Sequence, residues 1–421
     1  MAALAAADGR AQPQAAAYEL RLRPDFETQG VSGSERIVLR RREGEDWGRL
    51  RWPLNGLRLT ALRLEGQDLP LPAAGEDALL IEIPPAWRER RELILALRYE
   101  GRPRRGLTFG AQHVYSGFDS CHWMVCDPVP GTKARFTLEL LLPQGLRSAA
   151  AGEPLAAVAL AGGLSLQRWR QQRPEASYLF GFAAGRFHEA LEPAGDKWLH
   201  YLGLQDEPAA LRRKFRDSPR VLAFFADKAG LPLPDARYTQ LLLPGSVAQE
   251  ASSLALIGKQ LLDPIEQDES EDWVIVHELA HQWWGNLLTC KDWSHFWLNE
   301  GLTVFMTAAW KQQRWGEAAY QRELALARRR WQTAIDAGYD KPLSWAGDYP
   351  SLAIRRAIQY SKGALFIDAL RRELGEPRFW AGLRRYTRSH AGGSVESRDL
   401  QRAMEREAGR SLAELFGRWV Y

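Results

Sequence analysis

Residues 274–286 read VIVHELAHQWWGN, and the rest of the chain is organised around this stretch. His277 and His281 are four residues apart, so on a helix that turns about 100° per residue their imidazoles leave from one face and can bind a single cation. Glu278 is adjacent to the first histidine and reaches the same space. The H-E-x-x-H pattern is typical of a zinc site in which the glutamate moves the protons of a water on the metal.

A third metal ligand is expected from residues 297–301, WLNEG. Eighteen residues separate His281 from Glu300, which lies on a second apolar segment. Two imidazoles and one carboxylate leave the fourth position of a tetrahedral zinc open to water, as in catalytic sites. The alternative, a buried helix with merely packed histidines, is disfavoured because ligand types, number and spacing all agree. We therefore predict one zinc ion bound by His277, His281 and Glu300.

Length and composition restrict the classes of protein. A chain of 421 residues with 45% hydrophobic and 26% charged residues is long enough for two soluble domains with substantial cores. The net charge of +4 comes from interspersed basic and acidic residues, which argues against nucleic-acid binding. No apolar run approaches the roughly eighteen residues of a membrane span, so we expect a soluble protein without a transmembrane segment.

The amino-terminal segment, residues 1–17, is rich in alanine and contains no charged-then-apolar signal sequence. We predict a flexible leader. A mature chain whose export signal has been removed would look the same, so a cytoplasmic and a periplasmic location of bacterial type both stay open.

The three cysteines, Cys121, Cys126 and Cys290, are too few for a disulfide framework in a chain of this length. A second metal site at Cys121 and Cys126 lacks a matching ligand pair elsewhere. Buried thiols or one local disulfide are the two expectations that stay open.

Residues 18–192 are dominated by alternation with a period of two, as in Tyr18, Leu20 and Leu22, which are separated by charged residues. Short strands with regular turn signals predict an all-β, curved-sheet domain. Further strand-like runs are 36–39, 57–64, 79–83, 93–99, 135–142, 164–169 and 178–183.

Residues 193–421 are mainly helical in pattern after strand-like runs at 198–204 and 239–243. Ser218 is the candidate N-cap of a helix near 219–228 that ends at Gly230. Residues 268–270 are the candidate N-cap of the metal-binding helix, and Gly285 is its candidate end. The other predicted helices are 302–313, 317–337, 352–360, 363–374, 377–389, 397–408 and 411–421. The fold class predicted is α+β, with an all-β domain followed by a mainly α domain.

Taken together, the chain resembles the zinc aminopeptidase family of gluzincin type, which includes aminopeptidase N and leukotriene hydrolase. The motifs that carry the resemblance are HELAHQWWGNL at 277–287, WLNEG at 297–301, YSKGA at 360–364, and Cys126, Pro130, Lys133 and Phe136 in the first domain. The first-domain segment departs from the family at Pro128, where an aspartate is usual. The resemblance covers nearly the whole chain and implies a saddle-shaped β domain, a thermolysin-like catalytic domain and a peptide substrate.

The resemblance also implies roles for individual residues. Glu278 would be the general base on zinc-bound water, and Tyr360 would stabilise the oxyanion. From its sequence position alone, Tyr360 would be an aromatic residue at a helix end.

The family's G-x-M-E-N segment, which binds the free amino terminus of the peptide, corresponds to 247–251, VAQEA. By resemblance Glu250 binds the α-ammonium, and Ala248 is a second predicted substrate contact. Val247 places a branched side chain where a glycine would allow close approach of the peptide.

Two further departures affect the expected site. Thr307 stands where many relatives have a glutamate, which bears on the hydrogen bonds around the zinc ligands. The sequence ends at Tyr421, where the family's catalytic domain ends and a large helical domain usually follows. We therefore expect an open cleft that admits longer peptides or is closed by a second copy of the chain.

Three functions remain open. The first is a zinc aminopeptidase that releases amino-terminal residues. The second is a zinc peptidase or amidase that requires no free amino terminus, in keeping with the altered segment 247–251. The third is a non-catalytic binding relative, against which Glu278 argues, because a binding protein has no need of a proton-transferring residue beside the metal.

Overall fold

The computed structural model describes residues 13–41, 47–73 and 75–421. The chain divides into two compact units. The first comprises the described residues up to His188 together with Ala251–Leu254, and the second comprises Glu189–Glu250 and Ala255–Tyr421. The first unit is β-rich and the second mainly helical, which confirms the predicted fold class. The predicted boundary after residue 192 lies four residues beyond His188.

The first unit is built around an eight-stranded mixed sheet in the order β12-β13-β10-β1-β2-β7-β4-β5. A four-stranded sheet in the order β11-β14-β9-β8 and a β3-β6 pair complete the sheets among its described residues. The strands are β1 Gln14–Asp25, β2 Gly30–Arg40, β3 Arg49–Pro53, β4 Arg58–Leu64, β5 Gln67–Asp68, β6 Ala78–Glu82, β7 Glu92–Gly101, β8 Leu107–Phe109, β9 Val114–Ser116, β10 Lys133–Pro143, β11 Arg147–Ala150, β12 Glu153–Leu160, β13 Leu164–Ala176 and β14 Phe182–Gly185. Short 3₁₀ turns occupy Pro85–Trp87, Ser120–His122 and Ser177–Leu179.

The period-two pattern places apolar side chains on one face of the large sheet. Leu20 and Leu22 of β1 are buried, whereas Glu19 and Arg21 face outward. β1 pairs antiparallel with β2 and parallel with β10, so the same alternation continues into both neighbours.

Two local predictions for this unit are wrong. β1 begins at Gln14, so positions 14–17 of the predicted leader are strand, while residues 1–12 lie outside the described residues. The predicted strand at 178–183 is a 3₁₀ turn, Ser177–Leu179, followed by β14. Residues 176–185 are buried without interruption, so no alternation distinguishes strand from turn in this run.

Cys121 and Cys126 form a disulfide, which was the second of the two expectations for the cysteines.

The second unit combines a five-stranded sheet with helices. Its sheet order is β15-β16-β17-β19-β18, with β15 His188–Ala194, β16 Lys197–Gly203, β17 Arg237–Leu243, β18 Ala248–Gln249 and β19 Leu254–Gly258. The helices are α1 Pro208–Lys214, α2 Ser218–Ala229, α3 Lys259–Leu262, α4 Trp273–Ala280, α5 Trp297–Trp315, α6 Glu317–Asp336, α7 Leu352–Arg356, α8 Gly363–Leu374, α9 Glu376–Ser389, α10 Ser397–Ala408 and α11 Ala413–Trp419. Short 3₁₀ segments occupy Asp263–Glu266 and Trp293–His295, a π-helical turn occupies Ala357–Lys362, and β20 Thr289–Cys290 pairs with β21 Ser394–Val395.

The helix predicted from residue 302 begins five residues earlier, at Trp297, and three predicted limits of α2 and α4 are wrong. Asp217, and not Ser218, precedes α2, and the Ser218 hydroxyl donates to Gln240 Oε1 at 2.7 Å. Asp268 accepts bonds from Ser270 within its own turn, so α4 begins later, at Trp273. α4 ends at Ala280 and does not extend to Gly285, which was its predicted end. The end of α2 at Gly230 is confirmed, with φ of +67° in the left-handed region.

No helix in the described part of the chain is both long enough and apolar enough to cross a membrane.

The first unit buries an acidic side chain whose ionisation affects stability. Glu35 of β2 lies between Leu20 and Leu97 in the sheet register and accepts a 2.9 Å bond from the backbone N–H of Val125. Burial raises the pKa of Glu35 from 4.5 to about 8, although the bond from Val125 opposes the shift. The folded protein therefore keeps this carboxyl protonated at neutral pH.

We predict that the free energy of unfolding falls between pH 5 and pH 8 in a way that Glu35→Gln removes. Over this range the unfolded chain releases a proton that the folded chain retains, so stability decreases by up to about 1.4 kcal/mol per pH unit from this group. Urea denaturation at several pH values measures the effect, with the exposed Glu82→Gln as the matched control. A difference between wild type and Glu35→Gln that stays constant from pH 5 to pH 8 would contradict the assignment.

Candidate metal centre

Helix α4 presents both histidines of the motif. His277 is in the helix, and His281 follows it directly with helical dihedral angles (φ −58°, ψ −24°), so the four-residue spacing still aligns the two rings. Their Nε2 atoms are 3.1 Å apart. Val276 and Leu279 of the same helix are fully buried, which fixes the helix in the core of the second unit.

The ring of His281 is oriented by the turn that follows it. Its Nδ1 lies 3.1 Å from the carbonyl oxygen of Trp284. A Cβ atom on Gly285 would lie 2.7 Å from the same nitrogen, and the φ of +139° at that position also favours glycine. A proton on Nδ1 donated to this carbonyl leaves the Nε2 lone pair for a cation.

Helix α5 supplies the third candidate ligand. Glu300 lies in its first turn, and its Oε2 is 3.4 Å from His277 Nε2 and 3.5 Å from His281 Nε2. The next residue, Gly301, packs against Gly363, where an added Cβ would meet the opposite Cα at 2.8 Å. These two glycines let α5 approach the start of α8 closely and so determine where Glu300 lies.

The three donor atoms fit a zinc ion. Ligands about 2.1 Å from a tetrahedral zinc are about 3.4 Å from one another. The observed separations of 3.1, 3.4 and 3.5 Å match this value. The buried Glu300 Oε2 makes no hydrogen bond among the described residues, as expected for an oxygen that binds a cation.

The charge around the donors also favours a cation. Burial by itself lowers the pKa of His281, but the Glu300, Glu250 and Glu278 carboxylates outweigh burial and raise this pKa to about 9. Burial by itself raises the pKa of Glu300, but the two histidines beside it outweigh burial and hold this pKa well below its usual range. The carboxylates therefore favour a positive charge at His281, whereas burial lowers the pKa of His277 and favours its neutral, metal-binding form.

A second cluster shares His281. Ligand atoms of Glu250, Glu278 and His281 lie within 4.8 Å of one another, and all three side chains are buried. Burial raises the pKa of Glu278 well above its usual range, and Glu250 adds to the shift, while His281 opposes it. Burial also raises the pKa of Glu250 to about 7, against a lowering effect of His281. Two acids of high proton affinity thus lie beside the metal ligands.

The position of Glu250 is set by its neighbours in the second unit. Gln249 Nε2 donates to Glu250 Oε2 at 3.1 Å, and Asn286 Nδ2 donates to the Glu250 carbonyl at 2.9 Å. Asn286 is fully buried and follows His281 by five residues, so one turn ties Glu250 to the metal-binding helix. The sequence does not indicate this role for Asn286, because the bond joins residues 36 positions apart.

Tyr360 also lies at the metal centre. Its ring centroid is 6.4 Å from that of His277, and the two rings are nearly parallel. The predicted helix 352–360 ends at Arg356 and continues as the π-helical turn Ala357–Lys362, which contains Tyr360. Such turns occur frequently at functional sites. Burial, followed by the Glu300 charge, raises the pKa of Tyr360 well above its usual range, so its hydroxyl stays protonated.

Other predicted positions are less directly engaged. Ala248 is exposed on β18, and Val247 before it is half-buried. The Thr307 hydroxyl donates to the carbonyl of Thr303 within α5 at 2.8 Å. Asn299, which precedes Glu300, accepts a bond from the backbone N–H of Cys290 at 3.1 Å and fixes the start of α5.

Comparison with known proteins agrees with this site. Residues 214–419 match the Peptidase family M1 domain. "Leucine aminopeptidase 2" of Eremothecium gossypii is 31% identical over 281 residues, which cover 64% of this chain and 43% of that protein. "Aminopeptidase M1-C" of Oryza sativa subsp. japonica is 24% identical over 441 residues, which cover 96% of this chain and 49% of that protein. The chain spans about half the length of the curated relatives that it matches.

Solved structures show the same fold. The M1 zinc metallopeptidase from Deinococcus radiodurans has a TM-score of 0.81 and 23% identity, covering 97% of this chain and 93% of that one. A mutant of that enzyme, bound to a Tyr-Ser-Ala substrate, has a TM-score of 0.81 and 24% identity, with coverage of 97% and 94%.

We predict that the purified protein binds about one zinc ion per chain and that His281→Ala abolishes this stoichiometric binding, because two ligands alone hold a catalytic zinc weakly. Elemental analysis after dialysis against a weak chelator measures the metal content. His390→Ala, a histidine outside the cluster, is the matched control and should keep its zinc. Full zinc content in His281→Ala would contradict the ligand assignment.

Proposed function

Because its residues 214–419 make this chain a member of peptidase family M1, we propose that it is a zinc-dependent aminopeptidase that releases residues from the amino terminus of peptides. The observation that carries the proposal is the convergence of His277, His281 and Glu300, with donor atoms 3.1–3.5 Å apart, beside the buried Glu278. The peptide bound to the Deinococcus enzyme supports the choice of substrate class.

Zinc bound at these three ligands would lower the pKa of a water molecule toward neutrality and polarise the peptide carbonyl. Glu278 is the group that accepts the proton as the water attacks, since a zinc ion beside it would favour its ionised form over the protonated form that burial favours. Its carboxylate shares the space of His281, and its buried Oε2 makes no hydrogen bond among the described residues. The same carboxyl group then returns the proton to the leaving amine, so one residue serves as base and acid in turn.

Tyr360 stabilises the oxygen that becomes negative during attack. Its hydroxyl keeps its proton because burial raises its pKa, and its ring lies beside that of His277. A donor in this position forms a stronger hydrogen bond with an oxyanion than with a neutral carbonyl, and it therefore lowers the barrier of the chemical step.

Glu250 binds the α-ammonium of the substrate. Its Oε1 is buried without a hydrogen bond among the described residues, and the carboxyl group lies close to Glu278. Asn286 and Gln249 hold it at a fixed distance from the metal ligands. An ammonium at Glu250 places the first peptide bond, and not a later one, at the metal, which is the basis of amino-terminal specificity.

We predict that Glu278→Gln retains zinc and loses hydrolysis of peptide substrates by several orders of magnitude, because the amide cannot accept the proton of the attacking water. Initial rates on an amino-terminal leucine anilide and elemental analysis of the same sample measure both properties. Glu271→Gln, an exposed acid near the start of α4, should leave the rate unchanged. A near-normal rate in Glu278→Gln would disprove its role as the base.

The amino-terminal anchor is tested with a peptide and its N-acetylated twin. We predict that the free-amine peptide is cleaved at least about 100-fold faster and that Glu250→Gln raises its KM at least about tenfold, because the ammonium loses its charged partner. Equal cleavage of both peptides would instead favour the peptidase that requires no free amino terminus. Cleavage of neither by the zinc-loaded protein would favour the binding relative.

A further inference from the structure

The outer face of the eight-stranded sheet carries a depression of about 640 Å³ that the peptidase chemistry does not use. All the residues that line it belong to the first unit. Its basic residues, which we call the arginine pocket, are Arg21, Arg36, Arg63, Arg98, Arg168 and Arg170. This volume is typical of small-molecule binding sites.

The strand register shows how the depression is built. One cross-strand row runs Arg21, Ser34, Arg98 and Ala61, and the next runs Glu19, Arg36, Ala96 and Arg63. The small side chains Ser34, Ala61 and Ala96 therefore form the floor. Long arginine side chains stand around this floor and form the walls, so the concavity follows from an alternation of large and small residues across strands.

The acids of this face compensate the arginines incompletely. Glu19 pairs with Arg36 at 3.3 Å, and Glu139 accepts from both Arg21 and Arg168. Glu153 lies opposite Arg170 in the strand register. Arg98 has no acid opposite it in either neighbouring strand, because Ser34 and Ala61 occupy those positions.

Arg63 pairs with Asp68 at 2.6 Å. Glu100, two residues from Arg98 on the same strand face, bonds to Arg58. The clustered guanidinium groups repel one another, and an anion bound among them would offset this repulsion.

The existing ion pairs can be exchanged for a ligand at little cost. In the Arg36–Glu19 and Arg63–Asp68 pairs both side chains are 47% or more exposed, and ion pairs this exposed contribute only about 0–1 kcal/mol each. The planar guanidinium fork binds phosphate oxygens in pairs, and several guanidinium groups in one depression fit a ligand of high charge density.

From this arrangement we propose that the arginine pocket binds a small anion that carries several linked phosphate groups. The ligand lies over Ser34, Ala61 and Ala96 and accepts hydrogen bonds from Arg36, Arg63 and Arg98. This site is independent of the proposed peptidase function, since every residue named here belongs to the first unit and none to the metal centre.

The test is isothermal titration calorimetry of the zinc-loaded chain of 421 residues with sodium tripolyphosphate at 150 mM salt. We expect saturable binding, and at least a tenfold loss of affinity in the double variant Arg63→Gln/Arg98→Gln. The control Arg40→Gln/Arg49→Gln removes the same charge from two exposed arginines of the same unit outside the pocket and should change the affinity less than twofold.

Two further measurements separate specific binding from a general effect of charge and from loss of the fold. Arg98→Lys preserves the charge and removes the planar guanidinium group, so this variant should bind tripolyphosphate with intermediate affinity. Thermal melting of each variant checks that it is folded. Absence of saturable binding would overturn the proposal. An equal loss of affinity in the control variant would also overturn it, because that result would show only diffuse charge attraction. Equal affinity for triglutamate, or binding to phosphatidylglycerol vesicles without binding to tripolyphosphate, would also overturn it.

Discussion

The structure of the second unit depends on the burial of two imidazoles and one carboxylate whose donor atoms converge to within 3.5 Å. Each of these groups is costly to bury alone, and their mutual position is favourable only around a positive charge. Two requirements therefore determine the arrangement of α4 and α5. Their apolar faces form the core, and their polar residues form one candidate cation site.

Small residues make this convergence sterically possible. Gly301 and Gly363 allow α5 and α8 to touch, and Gly285 leaves room for the ring of His281. Each glycine is adjacent to, or within a few residues of, a group with a proposed chemical role: Glu300, Tyr360 and His281. A methyl group at any of the three would displace a ligand or its neighbour before it affected the rest of the core. Sequence motifs that look purely catalytic thus also contain packing requirements.

Local sequence was sufficient to predict most helices and the convergence of His277, His281 and Glu300 beside Glu278, because these signals are spacings of three to nineteen residues along one chain segment. The alternating strands of the first unit were predictable for the same reason. What could not be predicted depends on partners distant in sequence.

β19 is a wholly buried apolar run without alternation, and the position of Glu250 depends on a hydrogen bond from Asn286. The buried Glu35 and the arginine pocket become visible only when the strand register is known. The π-helical turn at Tyr360 was not predicted, because the helical pattern of 352–360 does not distinguish such a turn from an α-helix.

The most direct test of the account is a crystal structure of the zinc-loaded protein with anomalous diffraction recorded on both sides of the zinc absorption edge. We predict one strong anomalous peak about 2.0–2.2 Å from His277 Nε2, His281 Nε2 and a Glu300 oxygen. A peak between Glu250, Glu278 and His281, or no stoichiometric peak near His281, would contradict it.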